Sequence, residues 1–276
     1  MKFAFSSNAY TKFSLLDSII EIAKVGYEGI EIMCDYPHVF PLPLDNNKVT
    51  EIKNIVTNNN IRISNLNAFT LFGIGDTYHP SWIEDDLERR KLRIEHTINC
   101  IKLANCLGVK NISIEPGGPL EDLDHRENYL NIFIDGIKQV LPIAAKEKVK
   151  ILVEPEPGLL LENSNEFLQF IKNFDSEYIG LNFDIGHFVC VDEDPSELVF
   201  KLANYIHHFH LADIKNKIHN HLIPGSGSIN FKKIIKSINE IGFDGFVTVE
   251  LYPYKDNPTE AALESLRYLN EISKTI

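Results

Sequence analysis

Apolar residues along the chain follow two alternating rhythms. Short β-rich runs, apolar at most positions as strands covered on both faces are, stand at Lys2–Ser6, Gly29–Met33, Arg62–Leu66, Asn111–Glu115, Lys150–Glu154, Ile179–Asp184, Ile206–His210 and Phe246–Glu250. Longer segments follow them in which apolar residues recur at helical spacing: Leu15–Val25, Asn47–Asn59, Glu84–Leu107, His125–Lys146, Asn165–Phe174, Pro195–Ala203, Phe231–Glu240 and Thr259–Ile272. Eight strand–helix pairs in strict alternation predict an α/β fold with a parallel sheet closed on itself, a (β/α)8 TIM barrel.

Local punctuation agrees with that division. Gly26, Gly108 and Gly242 each follow a helical run, where a left-handed cap is wanted, and Ser14, Ser164 and Asp194 occupy N-cap positions. The phrases Val25-Gly26-Tyr27-Glu28-Gly29-Ile30-Glu31 and Ile241-Gly242-Phe243-Asp244-Gly245-Phe246 are near copies of one helix-to-strand turn, as repeated units of a barrel would be. No linker interrupts the pattern. The longest irregular piece is Asp35–Asp45 with its three prolines, so residues 1–276 read as one domain.

Composition narrows the partners. Of 276 residues, 44% are hydrophobic and 24% charged, enough apolar material for one continuous core. A formal charge of −12 repels phosphate backbones and anionic lipid, so neither nucleic acid nor a membrane surface is expected as a partner. The opening MKFAFSSNAY is too short an apolar run for a signal peptide, and no stretch is long enough to span a bilayer, so a soluble cytoplasmic protein is expected. The four scattered cysteines form no metal knuckle or disulfide framework and read as free thiols.

Chemistry collects at strand ends. In a TIM barrel the reacting groups stand at the C-terminal ends of the strands, and five of these ends carry a ligand or base: Glu115, Glu154, Asp184, His210 and Glu250. Each alone reads equally well as a salt-bridged strand end. Carboxylates closing apolar strands are costly unless a cation or hydrogen bonds compensate them. Three carboxylates with one imidazole suit Mn²⁺, Mg²⁺, Co²⁺ or Zn²⁺, and do not suit copper or an iron–sulfur cluster.

The loop after the seventh strand runs from His219-Asn220-His221 through Pro224-Gly225-Ser226-Gly227-Ser228 to Asn230. Its amides read either as a phosphate cradle at a helix N-terminus or as a plain glycine-rich turn. His219 and His221 read as substrate contacts or as solvated loop residues. Tyr252, Tyr254 and Trp82 read as an aromatic wall over a sugar ring, or as packing.

The phrases Val153-Glu154-Pro155-Glu156-Pro157, Asn182-Phe183-Asp184-Ile185-Gly186-His187, His208-Phe209-His210-Leu211-Ala212-Asp213 and Thr248-Val249-Glu250 resemble the metal-site signatures of the sugar phosphate isomerase/epimerase family. That family shares a xylose isomerase-like barrel with ketose 3-epimerases, hydroxypyruvate isomerases, inosose dehydratases and endonuclease IV. The resemblance, which spans nearly the whole chain, implies that Glu154, Asp184, His210 and Glu250 hold one divalent metal ion. It also makes His187 a contact to substrate or to a metal ligand, and Glu156, just past its strand, a contact to substrate or a cap on the following loop, with Asn67, Glu115 and His221 completing the expected substrate-binding set. The endonuclease branch needs further histidines from earlier strands. Here the third and fourth strands end in Asn65-Leu66-Asn67 and Glu115, which argues against that branch and for a single metal.

The implied activity is metal-dependent isomerisation or epimerisation of a small sugar or polyol-derived ketone. Glu154 and Glu250 would remove and return a proton beside the carbonyl, through an enediolate. The alternatives are a lyase of the inosose or dehydroshikimate dehydratase type, and less favourably a phosphodiesterase. The resemblance further implies a homodimer or homotetramer.

Overall fold

A computed structural model describes residues 1–41, 45–120 and 122–276; of the irregular Asp35–Asp45 stretch, residues 42–44, Pro43 among them, lie outside the described residues. The expected strands form as β1 (Lys2–Ser6), β2 (Gly29–Met33), β3 (Arg62–Asn67), β4 (Asn111–Ile114), β5 (Lys150–Val153), β6 (Ile179–Asp184), β7 (Ile206–Leu211) and β10 (Phe246–Val249). They close into a parallel barrel in the order β1-β10-β7-β6-β5-β4-β3-β2. Closure is made by β1 against β10, with Lys2 opposite Phe246 and Phe5 opposite Val249.

Two strands lie outside the barrel and were not expected. β8 (Asp213–Lys215) and β9 (Ile218–Leu222) form an antiparallel hairpin directly after β7. Their signal is weak because a hairpin this short, five polar or charged residues among its eight, resembles loop.

The helices are α1 (Leu15–Val25), α2 (Asn46–Asn58), α3 (Leu87–Leu107), α4 (Arg126–Glu147), α5 (Ser164–Ile171), α6 (Ile185–Cys190), α7 (Pro195–Leu202), α8 (Phe231–Glu240) and α9 (Pro258–Ser273). Gly26 and Gly108 cap α1 and α3 with φ of 108° and 76°, a region open to glycine at no steric cost. Gly242, also at positive φ, stands one residue beyond the Ile241 cap of α8.

Two helix starts shift from expectation for identifiable reasons. α3 begins at Leu87, not Glu84, because Asp86 accepts from the amides of Glu88 and Arg89. The Glu84 carboxylate is meanwhile engaged by the Ser81 amide and by His79. α5 is capped by Asn163, which accepts from the amides of Asn165 and Glu166; Ser164 instead donates its hydroxyl to Glu193.

The core fills both the barrel interior and the layer between strands and helices. Phe133 of α4 stacks on Phe170 of α5 at 4.8 Å, and Trp82 meets the Phe133 ring edge-on at 5.7 Å. Cys34 and Cys100 are buried, and all four cysteines are free. Among the described residues no helix is long and apolar enough to cross a membrane.

Candidate active site

Strand register brings the expected quartet together. Asp184 closes β6 directly opposite His210 of β7, and Thr248 of β10 pairs with His210 on its other side, so Glu250 follows two residues later at the mouth. Glu154 follows the end of β5, the next strand round. One ligand atom from each of Glu154, Asp184, His210 and Glu250 lies within 4.8 Å of all the others, and all four residues are buried.

Each glutamate is held by one oxygen and presents the other. Glu154 accepts from Asn182 Nδ2 at Oε2 (2.8 Å), leaving Oε1 2.8 Å from His210 Nδ1. Glu250 accepts from Asn8 Nδ2 (2.8 Å) and Asn67 Nδ2 (3.2 Å) at Oε1, while its Oε2 lies 3.5 Å from the same imidazole nitrogen. Asp184 uses Oδ1 to cap α6 through the His187 amide (2.8 Å), and its Oδ2 is buried with no hydrogen-bond partner.

A carboxylate oxygen buried without a partner, among three carboxylates and an imidazole, is a donor set that fits a divalent cation. Titration behaviour agrees. Burial, then Glu154, Glu31 and Asp184, hold the Glu250 carboxyl well above its usual range against the pull of His210. Burial works against charge on His210, but Glu154, Glu250 and Glu31 together raise its pKa well above the usual value. Asp184 stays low, at about 2: burial is outweighed by His187, His221 and His210.

Glu31, at the middle of β2, belongs to the site although sequence reasoning passed over it. Its Oε2 lies 2.7 Å from His210 Nε2, and it accepts from Ser6 Oγ (2.9 Å) and Asn65 Nδ2 (2.8 Å). Burial would raise its pKa, but His210 and His208 hold it well below the carboxylate range. Histidines that bind metals usually pass their second ring N–H to such a carboxylate, which fixes tautomer and orientation. The available signal was an acid inside the otherwise apolar strand Gly-Ile-Glu-Ile-Met.

Above the quartet lies a cavity of about 520 Å³ whose lining includes Asn67, Glu154, Glu156, His187, His221 and Glu250, together with Tyr36, Phe69, Phe72, Tyr78 and Tyr252. Glu156 accepts from Tyr78 Oη at 2.8 Å, and burial pushes its pKa up to about 7. Asn67, Glu156, His187 and His221 thus stand where substrate contacts were expected.

One expectation is corrected and two open readings are decided. Glu115 is outside the cavity lining: it is fully buried, takes the Trp82 amide at 3.2 Å and lies 3.5 Å from the Arg93 guanidinium. Burial raises its pKa to about 8, with Arg93 opposing. Trp82 is fully buried against Phe133 and forms no wall, whereas Tyr252 does line the cavity. The glycine-rich loop holds no open phosphate cradle, because the Asp213 carboxylate already accepts from the amides of Gly225 (2.9 Å), Gly227 (2.8 Å) and Ile229 (3.0 Å). A Cβ at Gly227 would fall 2.4 Å from Asp213 Oδ1, so glycine is required for that approach.

The barrel and its cluster of strand-end ligands define a TIM barrel with its site at the C-terminal mouth. The chain belongs to the xylose isomerase-like TIM barrel family, whose sequence profile matches residues 19–272. It is 28% identical to an uncharacterised protein of Methanocaldococcus jannaschii over 98% of this chain and 91% of that protein. It is 25% identical to an inosose dehydratase of Clostridium botulinum over 92% of this chain and 88% of that enzyme. A crystal structure of a D-tagatose 3-epimerase-like protein superposes with a TM-score of 0.79 at 26% identity, covering 98% of this chain and 99% of that one.

Proposed function

We propose that the protein is a divalent-cation-dependent isomerase or epimerase acting on a small sugar or related hydroxy-carbonyl compound. The observation that carries this reading is the pair Glu154 and Glu250, both lining the cavity, whose inward oxygens lie 2.8 and 3.5 Å from Nδ1 of His210. Glu154, Asp184, His210 and Glu250 would hold the cation. When bound, it supplies the polarisation of a carbonyl that makes the neighbouring C–H acidic.

The chain's own residues carry the proton. Two carboxylates beside one reacting carbon allow one to remove a proton and the other to return it, which gives inversion at that carbon or transfer to its neighbour. Asn182 on one side, with Asn8 and Asn67 on the other, fixes which oxygen of each glutamate is presented. The rings of Phe69, Tyr78 and Tyr252 face the cavity and offer apolar surface to the carbon skeleton while excluding water from the transfer.

The test is Glu250→Gln, assayed on a panel of ketoses, inososes and hydroxypyruvate with Mn²⁺, Mg²⁺, Co²⁺ or Zn²⁺ restored. Turnover should vanish while the circular dichroism spectrum is unchanged, and near-normal turnover overturns the assignment.

A second reading, dehydration, is supported by the inosose dehydratase relative and by Glu156, a cavity carboxyl hydrogen-bonded to Tyr78 and suited to protonating a leaving hydroxyl. Product mass separates the two, since isomerisation conserves mass and dehydration loses one water. We also propose assembly as a homodimer or homotetramer that covers the mouth, where Tyr36 and Phe72 are 57% and 48% exposed; sedimentation analysis tests it, and a monomer overturns it.

A further inference from the structure

One arginine holds the loop after β3 without touching the cavity. Arg93, in the second turn of α3, is fully buried, and its guanidinium reaches both ends of residues 68–82. Its Nη1 donates to the carbonyl oxygens of Phe69 (2.7 Å) and Ala68 (3.4 Å), and its Nε to that of Pro80 (2.8 Å). Between those ends the loop supplies Phe69, Thr70, Phe72, Thr77 and Tyr78 to the cavity lining, to which Arg93 contributes nothing.

A guanidinium does not lose its proton inside a protein, and a buried charge is costly unless compensated. The neighbouring carboxyl does little of this. Glu115 Oε1 is 3.5 Å from Arg93 Nε, and burial lifts the Glu115 pKa to about 8 against the pull of Arg93, so near neutrality that carboxyl is mostly protonated. The carbonyls of one loop therefore compensate the charge, through hydrogen bonds roughly twice as strong as neutral ones. Moving the loop ends would leave the guanidinium buried and uncompensated.

Two paths run from the held ends to cavity carboxyls. At the start, the Phe69 amide donates to Asn67 Oδ1 (3.0 Å), which turns Asn67 Nδ2 toward Glu250 Oε1 (3.2 Å). Toward the end, Tyr78 Oη donates to Glu156 Oε1 (2.8 Å). The middle is tied separately, where Asp35 accepts from the amides of Phe72 and Gly73. We propose that Arg93 is a positioning residue for the reaction: by fixing both ends of residues 68–82 it orients Asn67 against Glu250 and Tyr78 against Glu156. Its kinetic consequence rests on the isomerase reading above, whereas its hold on the loop does not.

Three variants test it. Arg93→Met removes the guanidinium, and Arg93→Met/Glu115→Gln also leaves no unpaired carboxyl. Glu115→Gln keeps every carbonyl bond and copies the protonated form of that carboxyl. Hydrogen exchange of residues 68–82 is followed by mass spectrometry, and kcat and KM are measured on whichever ketose or inosose the wild type turns over. In both Arg93 variants exchange of the loop should quicken while the rest of the barrel is unchanged. Their kcat should fall about 100-fold, the cost of about 1 Å of misplacement, and their KM should rise. Glu115→Gln should match the wild type in all three. If Arg93→Met does not fold, the double variant decides, its buried pair being replaced by uncharged side chains of similar size; a double variant that does not fold makes Arg93 a core residue and overturns the proposal. Unchanged exchange, or quickened exchange with wild-type kcat and KM, also overturns it. An equal loss in Glu115→Gln assigns the effect to the ion pair and does the same. A wild type inactive on every compound overturns the isomerase reading instead, and the exchange result then decides whether Arg93 holds the loop.

Discussion

His210 Nε2 lies 2.7 Å from Glu31 Oε2, and the ring's Nδ1 lies 2.8 Å from Glu154 Oε1, so one imidazole links a carboxylate on β2 to the mouth on the far side of the barrel. Carboxylates accept, so in the cation-free chain both ring nitrogens carry hydrogen. A cation would replace the Nδ1 proton and leave the Glu31 bond intact. Glu31→Gln should weaken Mn²⁺ or Zn²⁺ affinity by about 10–100-fold without changing the fold. Calorimetric titration measures it, and an unchanged affinity would remove Glu31 from the site.

Cation affinity should rise with pH. Burial and its acidic neighbours raise the Glu250 carboxyl, and Glu154, Glu250 and Glu31 raise His210 against burial, so both keep their protons to higher pH than usual in the free protein. A ligand atom must lose its proton to bind, so binding releases protons, and affinity climbs until the raised pKa values are passed. The expected gain is about tenfold per pH unit for each proton released. Titrations in buffers of different ionisation heat count those protons; a flat profile between about pH 6 and 8 contradicts the coupling.

Tyr78 reaches across the cavity to Glu156 with its hydroxyl, 2.8 Å from Oε1. Tyr78→Phe keeps the ring and removes that bond, at a cost of about 0.5–1.5 kcal/mol. If Glu156 serves binding, KM should rise severalfold with kcat little changed. A fall in kcat alone would instead place Glu156 in the chemical step.

Barrel closure can be tested at one glycine. A Cβ on Gly29 of β2 would stand 2.5 Å from the Phe246 ring and 3.0 Å from Ala4 Cβ. Gly29→Ala should therefore destabilise the fold by about 1–3 kcal/mol in urea unfolding, and Phe246→Leu in the same chain should recover part of the loss. An additive double mutant would show that the ring is not the obstacle.

Periodicity sufficed for the barrel because each strand is covered on both faces and each helix on one, so burial writes itself into the residue pattern. The quartet was legible because a barrel displays its strand ends on one rim, and Glu154, Asp184, His210 and Glu250 all fall there. What stayed hidden depends on neighbours distant in sequence. Glu31 faces His210 across 179 residues, a relation no local pattern carries. Glu115 has the same strand-end position as Glu154, yet Arg93 of α3 claims it. That His219 and His221 share a strand was hidden because their hairpin has no apolar alternation of its own, and Asp213 at its base holds the loop beyond it through the amides of Gly225 and Gly227.

That carboxylate has a thermodynamic meaning. Many barrels bind a ligand's phosphate at the loops after the late strands, and a loop that its ligand must order consumes part of the binding energy. Here the anion is part of the polypeptide, always present at the turn and never lost by dilution. The strand bearing His219 and His221 is thus in position before any substrate encounters it, and the entropy of ordering it belongs to folding rather than to each catalytic cycle.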